Sequence, residues 1–222
     1  MLISFHLRVL ILSFFCIHGM YASKKIFSFE PLFNKQDLNG WQPTDASKFK
    51  VENGLLIGFQ DDGKGADLRT VNEFDNFELK FRYKRNGKGN SGVWFRQIYQ
   101  FDLLDMMPVT LSGAFYYPQC PTTFVWKNVD ESIEKKNDWN EGQIYANGNR
   151  IIFWLNGQML GDETLDPKVH RISKSGNIGI QVHGGDQFKG MQVAFEKIDI
   201  RILQPDDQPT LTSVMVLGDQ IK

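Results

Sequence analysis

Beyond residue 27 the chain alternates between apolar and polar positions. In "NFELKFRYKR" (residues 76–85), Phe77, Leu79, Phe81 and Tyr83 fall on one face and Glu78, Lys80, Arg82 and Lys84 on the other. That period of two marks a half-buried strand. "FKVENGLLIGF" (49–59) and "NRIIFWLNGQML" (149–160) each place two β-rich runs about an Asn-Gly pair, Asn53-Gly54 and Asn156-Gly157. Asn-Gly is a strong hairpin signal because both turn residues must take φ > 0. "SGVWFRQ", "YQFDLLD" and "GNIGIQVHG" add short strands, and "MQVAFEKIDIRIL" alternates with a parity slip at Glu196-Lys197 that predicts a bulge. No window sustains three turns of amphipathic helix, although "DESIEKK" (130–136) allows one short helical turn. Short strands at turn-spaced intervals predict an all-β sandwich or jelly roll. The periodicity stops after Leu203, where Pro205 and Pro209 interrupt it. The pattern therefore gives one domain over 27–203 and a loosely ordered tail over 204–222.

Residues 1–22 differ from the rest. They carry Arg8, an apolar run from Val9 to Ile17 and then smaller residues, without an A-x-A cleavage pattern. The segment reads as a secretory signal peptide too short to span a bilayer, with an uncleaved anchor as the alternative. The bulky Phe14 and Phe15 before Cys16 argue against lipoprotein processing. A secreted or periplasmic location follows as the expectation. Loss of the leader removes Cys16 and leaves Cys120 without a disulfide partner in the chain. Only His170 and His183 then remain, which disfavours a His/Cys zinc site. The sequence specifies no cofactor, and because Asp and Glu are plentiful an oxygen-ligated divalent ion such as calcium stays open. The formal net charge of −1 is dispersed, with no basic stripe, which argues against a nucleic-acid partner.

The charge pattern leaves one anomaly. "GNSGVWFRQIYQFDLLD" (89–105) is aromatic and strand-like, yet contains Arg96, Gln100, Asp102 and Asp105. If Val93 and Phe95 pack between sheets, Trp94 and Arg96 share the outer face; Gln100 and Asp102 share a face on the next strand. In "GIQVHGG", Gln181 and His183 stand opposite Val182. Asn90 sits in "GNSG", which reads as a tight turn whose polar groups can still reach a ligand. Each residue has a structural alternative. Trp94 can pack in the core, Arg96 and Asp102 can form an ion pair, and His183 before Gly184-Gly185 can bond backbone in a turn.

Taken in order, "FEPLFNKQDLNGW", "FKVENGLLIG", "NFELKFRYK", "GNSGVWFR", "YQFDLLD", "SGAFY", "DWN", "GNRIIFWLNG" and "GNIGIQVHGG…VAFEKIDIRIL" resemble the 3-keto-disaccharide hydrolase family, also described as 3-keto-glucoside 1,2-lyase/3-keto-2-hydroxyglucal hydratase. The resemblance covers nearly all of 27–203. It implies a concanavalin A-like jelly-roll sandwich of two curved antiparallel sheets. It also implies a sugar or keto-sugar as the partner, oxidised at C3. A C3 ketone acidifies the C2–H bond, and the enolate can expel the C1 substituent, so the site needs a base, donors for the C3 oxygen and an acid for the leaving oxygen. In this light Asp102 is the acid or base, His183 a base and Arg96 an oxyanion donor. Trp94, Gln100, Asn90 and Gln181 become substrate-binding residues, and Asp105 a second carboxylate or a possible metal ligand. The sequence departs from the family at one place. The usual Tyr-Glu-x-Gln pattern becomes Tyr99-Gln100-Phe101-Asp102, so the carboxylate has moved two residues along the same face. The apolar stretch "MMPVTLSGAFYYPQCPTTF" is also distinctive and suits a different substrate. An exported enzyme cleaving or hydrating 3-keto-glycosides is the first reading; a non-catalytic carbohydrate-binding module is the alternative.

Overall fold

The computed structural model describes residues 28–86, 89–119 and 122–210. The leader, Cys120 and residues 211–222 lie outside them. The strands, in chain order, are β1 (Glu30–Pro31), β2 (Trp41–Pro43), β3 (Phe49–Glu52), β4 (Leu55–Gln60), β5 (Ala66–Phe74), β6 (Phe77–Arg85), β7 (Ser91–Phe95) and β8 (Tyr99–Leu103), followed by β9 (Asp105–Met106), β10 (Thr110–Tyr116), β11 (Phe124–Asn128), β12 (Asn140–Asn147), β13 (Arg150–Leu155), β14 (Gln158–Thr164), β15 (Gly176–Val182) and β16 (Met191–Ile202). They form two eight-stranded antiparallel sheets. The first runs β14-β13-β12-β6-β16-β4-β3 with β1 beside β16; the second runs β11-β10-β8-β7-β15-β5-β2 with β9 beside β10. Helix among the described residues is confined to two 3-10 turns, Ala46–Lys48 and Asp186–Phe188.

The alternation read from the sequence becomes the core. Phe77, Leu79, Phe81 and Tyr83 of β6 are buried, as are Val93 and Phe95 of β7. The sheets close over aromatic contacts: Phe81 meets Phe101 edge-on at 5.3 Å, and Phe153 lies 4.8 Å from Phe101 and 5.1 Å from Phe115. Such pairs add to the burial of large apolar area that drives the sandwich together. Asn53-Gly54 and Asn156-Gly157 take positive φ as their hairpins require. The register of β16 slips between Phe195 and Lys197 against β6, at the parity break.

Four expectations change. Residues 130–136 form turns without a helix. They are held because Ile133 enters the core and Glu134, buried, accepts from Tyr83 Oη at 3.0 Å and from Arg85 Nε and Nη2 at 2.9 and 2.6 Å. Glu78, on the polar face of β6, is fully buried instead of facing water. Its carboxylate takes Arg201 Nη2 at 2.6 Å, Gln143 Nε2 at 2.5 Å and Thr210 Oγ1 at 2.5 Å. Residues 204–210 are consequently no loose tail: Arg201 Nη2 also bonds Gln208 O, and Tyr145 Oη donates to Asp207 O at 2.7 Å. "GNSG" is only partly a turn, since Ser91 and Gly92 already belong to β7.

Candidate functional site

The outward face of the β7–β8 sheet carries two rows of residues at right angles to its strands. Pairing of β5, β15, β7, β8, β10 and β11 sets Arg69, Gly179, Trp94, Gln100, Tyr116 and Phe124 in one row. The neighbouring row runs Asp67, Gln181, Gly92, Asp102. Glycines at 179 and 92 lower the floor. At Gly92 a Cβ would lie 2.3 Å from Gln100 Cδ, so the glycine is what lets the Gln100 amide fold down across the sheet. Above this floor is a cavity of about 340 Å³ lined by Asn90, Trp94, Gln100, Asp102, Gln181 and His183 on its polar side. Leu104, Met106, Tyr116, Thr123 and Phe124 close the other side.

Trp94 is therefore a wall of the cavity rather than core. Its ring meets Tyr116 edge-on at 6.1 Å, and Tyr116 meets Phe124 at 5.7 Å. Its indole Nε1 donates to Asp67 Oδ1 at 3.1 Å, while Arg69 lies over the ring at 5.7 Å and pairs with Asp67 Oδ2 at 2.8 Å. The aromatic plane is thus fixed from its far edge by residues the sequence reading did not single out. Trp, Tyr and Phe in contact make a platform for flat or sugar-like apolar faces.

Asp102 is 3% exposed, and no Lys or Arg side chain pairs with it among the described residues. Burial pushes its carboxyl well above the usual carboxylate range. Its Oδ1 lies 2.5 Å from the amide of Gln100. That separation suits O–H···O and is short for N–H···O. A neutral Asp102 donating to Gln100 Oε1 fits both facts, and leaves Gln100 Nε2 to donate to Gln181 Oε1 at 3.2 Å. The alternative, an ionised Asp102 with the amide turned over, directs Gln100 Oε1 toward Trp94 Nε1 at 3.3 Å. That hydrogen already has Asp67. Burial of Tyr116 and, after it, the nearby Asp102 raise the Tyr116 phenol as well.

At the far end of the cavity, His183 Nδ1 lies 2.5 Å from Gly184 O, and the ring stands edge-on to Phe188 at 5.2 Å. With the Nδ1 proton given to that carbonyl, Nε2 carries the lone pair. The backbone contact envisaged for this histidine and its use as a base are compatible. Its N–H bonds Asn90 O at 3.2 Å, which ties the Asn90 loop to β15. His183 and Gln181 also border a second hollow of about 300 Å³ with Thr44, Gly65, Asp67 and Gly184.

Arg96 is elsewhere. β7 ends at Phe95, and Arg96 and Gln97 take φ of 46° and 68° in the turn to β8, so the parity that joined Arg96 to Trp94 no longer applies. The guanidinium, 1% exposed, donates to Asp75 O at 2.8 and 2.6 Å, Gly148 O at 2.7 Å and Asn76 Oδ1 at 3.2 Å. It staples this hairpin to turns bordering the other sheet. Desolvation lowers its pKa to about 10. It forms no pair with Asp102 and lines neither hollow. Asp105 lies outside the cavity, its carboxylate 3.6 Å from Lys136 Nζ. No group of three or more His, Cys, Asp or Glu suited to a metal occurs among the described residues. A smaller hollow of about 140 Å³ opens on the other sheet between Lys80, Arg82, Trp154 and Lys197. There Arg82 pairs with Glu196 and Lys197 with Asp199, and the remaining carboxylate, Glu141, is exposed, so it lacks the buried acid that distinguishes the first.

Two antiparallel sheets with a ligand-sized trough on one outer face define a concanavalin A-like sandwich of the glucanase and lectin kind. The laminarinase catalytic domain of Thermotoga maritima MSB8 superposes with a TM-score of 0.53 at 12% identity, covering 72% of this chain and 82% of that one. A glycosyl hydrolase candidate from Parabacteroides distasonis ATCC 8503 superposes with a TM-score of 0.64 at 20% identity over 80% and 95% of the two chains. Residues 28–201 match the 3-keto-alpha-glucoside-1,2-lyase-like domain, and the chain belongs to that family. A 3-keto-disaccharide hydrolase of Bacteroides thetaiotaomicron is 32% identical over 74 residues, which span 29% of this chain and about a quarter (26%) of that protein.

Proposed function

We propose that the protein is an exported enzyme that breaks the glycosidic bond of 3-keto-glycosides by C2 deprotonation and elimination, with hydration following. Family membership supports the reaction class, and residues 1–22 support export. The single observation that carries the assignment is Asp102, a buried acid without a cationic partner among the described residues, on the wall of an aromatic cavity that also holds His183.

In this reading His183 Nε2 takes the proton from C2, and the C–H pair becomes the C2=C3 bond of an enolate. The Gln181 amide nitrogen, whose oxygen is engaged by Gln100, donates to the charge on the C3 oxygen. The enolate then collapses to a C1=C2 double bond and a C3 ketone as the C1–O bond breaks. The departing oxygen takes the Asp102 proton. Addition of water returns hydroxide to C1 and a proton to C2, and resets both residues. No covalent bond to the enzyme is needed, unlike the retaining glycosidase route.

The test is aglycone release from a 3-keto-glucoside by the wild type, by Asp102→Asn and by wild type with a chelator. Asp102→Asn should lower turnover about 10²–10⁴-fold while keeping the fold, since an amide can still donate to Gln100 Oε1. Loss with chelator alone would add a divalent ion to the site. The carbohydrate-binding reading draws on Gln100, which stands where the family usually carries Glu. It replaces the enzyme if the wild type shows no turnover and binds sugar as well as Asp102→Asn does.

A further inference from the structure

The two hollows on the outer face of the β7–β8 sheet are neighbours that share Gln181 and His183, and their chemistry differs. One, of about 340 Å³, reaches from those two residues past Asp102 to Leu104, Met106, Tyr116 and Phe124. The other, of about 300 Å³, is bordered by Thr44, Gly65, Asp67 and Gly184. Resting on the reaction proposed above, their order fixes which part of the substrate each takes. The acid serves the oxygen on C1 and the base serves C2, so the C1 substituent points along the direction from His183 to Asp102. We infer that the leaving group occupies the apolar lobe and that this protein acts on 3-keto-glucosides whose aglycone is apolar and preferably flat, rather than on disaccharides.

The apolar lobe offers a second sugar little. Its far wall is a thioether, a leucine and two edge-packed aromatic rings, with Thr123 the one hydroxyl side chain besides the Tyr116 phenol. A glucosyl leaving group would bury several hydroxyls there without enough partners, which costs more than a ring of carbon atoms does. The hydroxyl-matching groups lie on the other side. Asp67 and Thr44 border the polar lobe, and the chain approaches so closely there that a Cβ at Gly65 would lie 2.7 Å from Gly184 N. Met106, 45% exposed, stands at the lip of the apolar lobe, where a flexible thioether adapts to different ring shapes.

The experiment compares kcat/KM for benzyl 3-keto-glucoside with that for a 3-keto-disaccharide in which glucose is the leaving group. Both leaving groups are alkoxides, so the ratio reports the lobe rather than leaving-group basicity. The benzyl substrate should be favoured by on the order of tenfold or more. Met106→Ser and Phe124→Ser should each shrink that ratio, and reading a ratio within one variant removes differences in the folded fraction. Equal values, or preference for the disaccharide, would overturn the inference while leaving the reaction standing. If neither substrate turns over, the proposed reaction fails, and equilibrium binding of benzyl glucoside against a disaccharide judges the lobe. Tighter benzyl binding that Phe124→Ser abolishes sustains it; equal binding removes it.

Discussion

The outer faces of the two sheets each bury a carboxylate beside a glutamine, and they treat it in opposite ways. On β6, Glu78 meets Arg201, Gln143 and Thr210, and its charge is matched and capped on every side. On β8, Asp102 meets Gln100 and an open cavity, with burial acting on it unopposed. Burying an ion costs several kcal/mol unless a cation and hydrogen bonds return it. The first sheet supplies that return. The second withholds it, and burial favours the protonated form of Asp102. A buried acid without its cation is the feature on which the proposed role of Asp102 rests.

The largest test of the contrast is to break the matched side. Glu78→Ala leaves Arg201 buried without its partner and should cost about 3–5 kcal/mol, read as a shift of the denaturant midpoint. A cost near zero would mean that water reaches Arg201 freely. Next, Arg96→Lys should lower stability by about 1–3 kcal/mol, because a single ammonium cannot serve the acceptors the planar fork reaches. Turnover per folded molecule should stay at the wild-type value; a selective fall in kcat would return Arg96 to the reaction. The smallest effect in free energy concerns Asp102 itself. A carboxyl raised by burial binds its proton in the folded state at pH values where the unfolded chain has lost it. Its contribution to stability is complete below the ordinary carboxylate pKa and disappears as pH rises through the elevated folded value. Asp102→Asn should flatten that decline and gain roughly 1–2 kcal/mol near neutral pH, an opposite sign to Glu78→Ala. Parallel pH profiles for wild type and Asp102→Asn would show that Asp102 is ionised in the folded protein.

Much of this could be read from the chain because alternation carries direction. Parity sets Trp94 opposite Val93 and Phe95, pairs Gln100 with Asp102 and Gln181 with His183 on their own strands, and the fold brings all five to one cavity with Asn90. Arg96 failed for a local reason: the strand stops one residue before it, and left-handed backbone at Arg96 and Gln97 turns the side chain under the sheet. Neither residue is a glycine or asparagine, so nothing in the sequence announced the turn. Glu78 failed for a distant one. Its partner Arg201 lies 123 residues on, and alternation states which face a residue takes but not what else arrives there. Asp67 and Arg69 belong to the same blindness, since they hold Trp94 of β7 from β5, two places away in the sheet with β15 between. Tyr116 and Phe124 lay inside a stretch already marked as unusual, yet only the β8–β10–β11 register shows that they stand in the row of Trp94.

The strap that covers Glu78 has a practical consequence for anyone cutting, fusing or transplanting this domain. Recognition by family pattern ends at residue 201, whereas Thr210 still donates its backbone N–H and its hydroxyl to Glu78. The smallest autonomous piece is therefore longer than the piece that similarity outlines. A boundary drawn at 203 would expose a fully desolvated ion pair to water, and a linker or tag belongs beyond residue 210.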